Sequence, residues 1–178
     1  MSSRPVVTLI AVVSADGLIS RGQGVAWDLP RDKEHFRRAT RGKWLLLGRR
    51  TYEEMLGWFE DRHPLVLTRD SGYTPKVGEK VAGVQEALAR AAAAGARELA
   101  VCGGSAAFDA AMPWADRLIL THVEDSLGNG VPFPTVAPEE WQITSQQHFP
   151  PDAVNALGMT FATYERRQPS QNAAESTF

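Results

Sequence analysis

Leu99-Ala100-Val101-Cys102-Gly103-Gly104-Ser105-Ala106-Ala107-Phe108 is the stretch that decides the fold. Four apolar residues in a row read as a strand buried on both faces, and Ala106 to Met112 has helix-forming composition. A strand handed to a helix across two glycines is one unit of a parallel α/β sheet. The glycines admit two readings. They are a tight turn, or they let the backbone approach a ligand closely while free amides at the helix start accept a phosphate. Both stand at this point.

The same unit recurs on either side. Val6–Ser14 is a strand rich in β-branched residues, closed by the turn Ser14-Ala15-Asp16-Gly17 and followed by a glycine-rich loop from Gly17 to Trp27. Pro30 opens a helix with Asp32 in its first turn, where a carboxylate suits the helix dipole, and with Phe36 and Ala39 turned inward. Trp44–Leu47 is a strand leading through Gly48 to a helix from Thr51 to Leu56. Pro64–Thr68 is a strand, Val84–Ala94 a helix ended by Gly95, and Leu118–Val123 a strand. Trp141–Gln147 and Thr160–Arg166 are strands with no helix between them. The pattern predicts a mixed α/β sheet, mostly parallel, with helices on both faces and an antiparallel C-terminal edge hairpin. Residues 1–167 form one domain in this reading, and the polar tail 168–178 has no core to join and is expected to be disordered.

Composition narrows the function classes. The 178 residues carry a net charge of −2, which argues against a nucleic-acid surface or a basic membrane face. The single cysteine, Cys102, forms no internal disulfide. Arg4 ahead of the Val6–Val13 run superficially mimics a signal sequence, but the run reads as a buried first strand, and no apolar stretch is long enough to span a bilayer. A cytoplasmic location is the expectation; assembly stays open between monomer and homodimer.

Three clusters carry chemistry. Gly48-Arg49-Arg50-Thr51 puts two arginines and a threonine at a helix start, and Arg69 follows the next strand. A solvated basic edge would look the same, yet all three arginines fall after carboxyl ends of strands, where ligands bind in open α/β sheets. Together with Gly103-Gly104 they make two phosphate sites, pointing to a dinucleotide with an extra ribose phosphate. The third cluster is Trp27-Asp28-Leu29-Pro30-Arg31-Asp32-Lys33-Glu34-His35-Phe36. Spacing of four puts Asp32 and Phe36 on one face. An inward face would make Asp32 a cleft carboxylate able to hold an amidine-like ring edge; taken alone, a first-turn carboxylate facing water is the simpler reading.

In order, these elements resemble the dihydrofolate reductase family from about Val7 to Arg167. The likeness rests on Ala15-Asp16-Gly17-Leu18-Ile19, on Trp27-Asp28-Leu29-Pro30 with Asp32 and Phe36, and on Leu47-Gly48-Arg49-Arg50-Thr51-Tyr52-Glu53. It extends to Arg62 before a strand, Cys102-Gly103-Gly104-Ser105, and Leu120-Thr121-His122 before Phe133-Pro134. The resemblance implies NADPH as cofactor, a pterin or folate as substrate, and no metal. It implies that Asp32 binds the amino-pyrimidine edge, that Thr121 hydrogen-bonds Asp32, and that Trp27 holds a nearby water. Ile10, Ala11, Phe36, Met55 and Cys102 would wall the substrate, and Arg62 would pair with the glutamate carboxylate of the folate tail. On the cofactor side Ala11, Val12, Ile19 and Ser20 would line the nicotinamide. Gly48, Arg49, Arg50, Thr51, Leu67, Thr68 and Arg69 would hold the adenosine phosphates. Cys102, Gly103, Gly104, Ser105, Ala106, Ala107 and Phe108 would surround the pyrophosphate, and Gly22–Val25 would be a mobile covering loop.

The departures from the family pattern fall mainly on the substrate side. Lys33 follows the acid where an apolar residue is usual, Trp58-Phe59-Glu60-Asp61 precedes Arg62, and Phe108 stands for a tyrosine. Gly128-Asn129-Gly130 lacks the loop aspartate. Asp32-Lys33 with Phe36, and Gly130-Val131-Pro132, also resemble the reductases of riboflavin synthesis. Dihydrofolate reduction is therefore the first expectation, with another pteridine or a ribosylamino-pyrimidine as the alternative. A nucleotide-binding protein without turnover is a third reading, disfavoured because binding alone requires neither Asp32 nor the glycine-rich loop.

Overall fold

A computed structural model describes residues 4–168; the expected tail lies outside the described residues apart from Gln168. In chain order the elements are β1 (Val6–Ser14), β2 (Leu18–Ser20), α1 (Pro30–Thr40), β3 (Trp44–Gly48), α2 (Arg49–Glu54), β4 (His63–Leu67) and β5 (Glu79–Val81). Then come α3 (Val84–Ala93), β6 (Glu98–Gly103), α4 (Ser105–Ala111), a 3-10 turn at Met112–Trp114, β7 (Arg117–Val123), β8 (Val131–Pro132), β9 (Trp141–Phe149) and β10 (Met159–Arg166). Eight strands form one sheet in the order β5-β4-β3-β6-β1-β7-β10-β9. The neighbours from β5 to β7 run parallel, while β10 is antiparallel to both β7 and β9.

Strand alternation sorts the core into two layers. Val7, Leu9, Leu46, Leu99, Val101, Leu118 and Leu120 pack under α3 and α4 through Ala87, Leu88, Ala107, Phe108 and Ala111. Ile10, Leu45, Leu47, Val66 and Ala100 face the other way, against Tyr52 and Phe59, with Phe36 and Ala39 of α1 packed beside them. Crossovers leaving β1 and β3 thus cover one face, and those leading to β6 and β7 cover the other. Such a switch opens a crevice at the carboxyl ends of the central strands.

Two expectations need correction. The helix expected from Thr51 to Leu56 spans Arg49–Glu54, because Gly48 is extended and α2 starts directly on it, while Met55 to Gly57 turn away with Gly57 at φ +98°. The stretch Gly17 to Trp27 is not loop throughout: β2 pairs with β8. Gly130, at φ +155°, lies with the Ser20 carbonyl where a Cβ would be, so no larger side chain fits there without a shift of the backbone. The turn after β1 is tied to the same loop. Asp16 accepts hydrogen bonds from the Leu127 and Gly128 amides at 3.0 and 2.7 Å. With the Ser14 hydroxyl as the largest contributor, these hold its carboxyl down to about 2.

The start of α1 is fixed from far along the chain. Pro30 has no N–H, and Leu29 supplies no side-chain cap. The Arg31 amide instead donates to Asn155 Oδ1 at 3.0 Å, and the Arg31 guanidinium meets Asp152 at 2.8 Å while stacking over Phe149. Asn155 is 2% exposed, and its amide in turn donates to Asp152. Removing such a cap costs about 0.5–2 kcal/mol. Asn155→Ala is expected to lower the unfolding free energy by that amount, read as a lower urea midpoint at unchanged m-value; an unaltered midpoint would show that water replaces the cap at no cost.

Candidate active site

A cleft of about 630 Å³ lies along the carboxyl halves of β1, β3, β6 and β7. At one end the first turn of α1 delivers Asp32, half-buried, toward Thr121 of β7. Burial raises the Asp32 carboxyl above its ordinary range, and the Thr121 hydroxyl pulls it part of the way back. Ile10, Phe36, Met55 and Trp58 make the apolar walls, with the Phe36 and Trp58 rings edge-on at 6.0 Å. Three residues past Asp32, His35 also lines the cleft and lies flat on Phe161 of β10 at 4.0 Å. Burial, followed by Arg38, lowers its imidazole pKa, and its Nε2 is buried without a hydrogen-bond partner.

The other end is built from backbone and cations. A Cβ on Gly104 would stand 3.3 Å from Thr51 Oγ1, and one on Gly48 3.4 Å from the Gly104 nitrogen. The β3 and β6 ends therefore meet backbone to backbone, and Gly103 holds φ +122°. Both helices that start here are short, six residues in α2 and seven in α4, so their dipoles are small. Positive charge at this end rests on Arg49 and Arg50. The Arg50 guanidinium donates to the Gly22 carbonyl at 3.2 Å, tying α2 to the loop ahead of α1. Ala11, Val12, Ile19, Ser20, Leu67, Ser105, Ala106 and Phe108 complete the lining. Cys102 lines it between the two ends, its thiol pushed up to about 12 by burial, which removes it as a nucleophile at neutral pH. A glycine cradle beside paired arginines suits a dinucleotide.

The family model described as dihydrofolate reductase matches residues 6–166, the whole of the fold just described. The chain belongs to the dihydrofolate reductase family. Dihydrofolate reductase type 3 of Salmonella typhimurium is 30% identical over 162 residues, covering 91% of this chain and 99% of that protein. Dihydrofolate reductase HdrB of Haloferax volcanii is 31% identical over 170 residues, covering 91% and 84%. Among solved structures, the dihydrofolate reductase from Enterococcus faecalis complexed with NADP(H) and RAB-propyl superimposes with a TM-score of 0.81 at 26% identity. It covers 92% of this chain and 97% of that one.

In this dihydrofolate reductase family member some expected contacts lie elsewhere. Thr68, Arg69 and Ala107 are outside the cleft lining. Thr68 and Arg69 follow the end of β4 into a turn in which Thr68 Oγ1 accepts the Asp70 amide, and Ala107 is fully buried under the sheet. Arg62 is also outside it. Its side chain is 7% exposed and donates to Thr40, to Asp61 and to the Trp58 and Arg37 carbonyls. It opens instead on a neighbouring depression, with Arg37, Arg38 and Arg41, that shares Trp58 with the main cleft. Trp27 lines the cleft, but its indole N–H donates to Asp125 Oδ2 at 2.9 Å where a water was expected.

Among the lining residues that the sequence reading missed are His35, Trp58 and Glu54. His35 was findable from its i+3 spacing to Asp32; the other two sit at the far end of α2 and in the turn beyond it, whose path no local pattern fixes. Among the described residues, no helix is long and apolar enough to cross a membrane, and no cluster of His, Cys, Asp and Glu could hold a metal ion.

Proposed function

We propose that this chain reduces 7,8-dihydrofolate to 5,6,7,8-tetrahydrofolate with NADPH, acting in the cytoplasm. The observation that carries the reading is Asp32, a carboxylate with a raised pKa between apolar walls, at the opposite end of one cleft from the glycine cradle and Arg49–Arg50. A carboxylate so placed accepts paired hydrogen bonds from an amino-pyrimidine edge and favours the protonated, cationic form of the ring. Thr121 orients it. Ile10, Phe36 and Met55 exclude water from the ring, which strengthens that electrostatic bias. Arg49 faces the cofactor's ribose phosphate and Arg50 its pyrophosphate, with Gly103 and Gly104 allowing close backbone approach. When bound, NADPH supplies the hydride for the pterin carbon; the proton goes to the adjacent ring nitrogen. The test is NADPH oxidation followed at 340 nm with dihydrofolate and, separately, with a ribosylamino-pyrimidine. Turnover with dihydrofolate alone supports the reading, and turnover with the pyrimidine alone overturns it.

One observation bears on the second substrate class. Lys33 lines the cleft mouth, where a cation would serve a ribosyl phosphate, yet its ammonium is 2.6 Å from Asp28 Oδ1 and half exposed. Its charge is thus matched within the α1 entrance, and its effect on a folate is mainly a lost apolar contact of about 1 kcal/mol. Lys33→Leu is expected to tighten dihydrofolate about fivefold at moderate salt. Substantially weaker binding would mean that Lys33 contacts an anionic group, and the ribosyl-phosphate substrate would move ahead.

A further inference from the structure

Arg49 is enclosed by acid. We propose that Asp70 and Glu53 are specificity-determining residues that hold down this chain's preference for NADPH over NADH. The inference rests on Arg49 facing the cofactor's ribose phosphate, as proposed above. Because β3 and β4 are parallel and in register through Gly48 and Leu67, Arg49 and the turn that follows β4 stand side by side. Arg49 Nε donates to Glu53 Oε1 at 3.1 Å, and Arg49 Nη1 to Asp70 Oδ2 at 3.2 Å. The guanidinium lies 4.3 Å above the Tyr73 ring. Asp70 does not swing freely: its Oδ1 accepts the Gly72 amide at 2.9 Å, and its own amide donates to Thr68 Oγ1.

A 2′-phosphate carries nearly two negative charges, and on reaching Arg49 it meets two carboxylates already bonded to the same guanidinium. NADH brings a neutral 2′-hydroxyl, which a carboxylate accepts as a hydrogen-bond donor. The acids therefore act against one cofactor and not the other. The other charges of this rim do not cancel them. Arg50 is turned to the Gly22 carbonyl, and Lys80 to the Ser71 carbonyl, which leaves Arg69 on the turn. Arg49, Glu53 and Asp70 are each about half exposed, so screening keeps the effect moderate.

The test is the ratio of kcat/KM for NADPH to that for NADH at low salt, in the wild type and in Asp70→Asn, Glu53→Gln and Arg49→Ala. Asparagine keeps the oxygen that accepts the Gly72 amide, so the turn is retained. Asp70→Asn should raise the ratio about three- to fivefold, mainly through tighter NADPH, with a smaller gain at higher salt. Glu53→Gln should act in the same direction, and Arg49→Ala should lower the ratio. An unchanged ratio in both acid variants, with Arg49→Ala lowering it, overturns the proposal and leaves the placement of Arg49 standing. A ratio indifferent to Arg49→Ala removes that placement and the proposal with it.

Discussion

Asp32→Asn should lose about a hundred- to a thousandfold of kcat/KM for dihydrofolate at pH 7 while the protein stays folded. Two charge-assisted hydrogen bonds of about 1.5–3 kcal/mol each become neutral ones, and the cationic ring edge loses its counter-charge. The pH profile separates this from a general defect. Burial raises the Asp32 carboxyl, so wild-type kcat/KM should fall on the acid side through a pKa above the ordinary carboxylate range. In the variant the ring must arrive already protonated, so activity should climb as pH falls. Stability runs the opposite way. A carboxyl whose folded pKa is raised stabilises the fold fully below its unfolded pKa, and that contribution is lost as pH rises through the folded value. At pH 7 the ionised Asp32 is therefore a cost that asparagine relieves, and thermal unfolding should show Tm equal to or above wild type. Full activity at pH 7 would make Asp32 a helix-start carboxylate and nothing more.

Gly103→Ala should strike the other end of the cleft. At φ +122° an alanine is held in a region that L-residues rarely occupy, at about 1–3 kcal/mol. The new methyl would also contact Thr51 and Phe108, at 3.5 and 3.6 Å. Relief of that strain must move the junction of β6 and α4, and with it the cradle. The NADPH dissociation constant is expected to rise about ten- to a hundredfold. Dihydrofolate binding to the cofactor-free protein should change little. Fluorescence titration with each ligand alone measures both, and equal losses for the two would indicate general misfolding.

Most of the parallel half of the sheet was legible because β1, β3, β4, β6 and β7 are apolar runs bounded by turn residues, a signal local to a few residues; the three-residue β5, Glu79-Lys80-Val81, carries no such run and was not found. The C-terminal hairpin was legible for a different reason, two strand-like runs with no helical pattern between them, and Gln142 to His148 are exposed along the outer strand. What escaped was non-local or short. β2 and β8 pair three residues with two, across more than a hundred positions, and neither is long enough to show alternation. The cap from Asn155 to Arg31 spans 124 residues and has no sequence signature at the helix it serves. Arg49, Arg50 and Gly103, at the carboxyl ends of β3 and β6, line the cleft as the sequence pattern suggested. Thr68, Arg69 and Arg62 lie in or beside turns whose path no local pattern fixes, and they stand outside that lining. The facing of Asp32 was undecidable locally, since α1 carries Arg31, Lys33, Glu34, Arg37 and Arg38 around most of its circumference and only Phe36 and Ala39 mark the inner side.

The central claim is that one cleft brings a reduced nicotinamide to a pterin held by Asp32. Its most direct test is a single turnover with excess enzyme, using NADPH deuterated on the reactive face of the nicotinamide, with dihydrofolate as acceptor and mass spectrometry of the product. The account predicts tetrahydrofolate carrying one deuterium at the reduced ring carbon, formed by the wild type and nearly absent with Asp32→Asn at pH 7. Binding of both ligands with no deuterium transferred, or transfer at the same rate in both proteins, would contradict it.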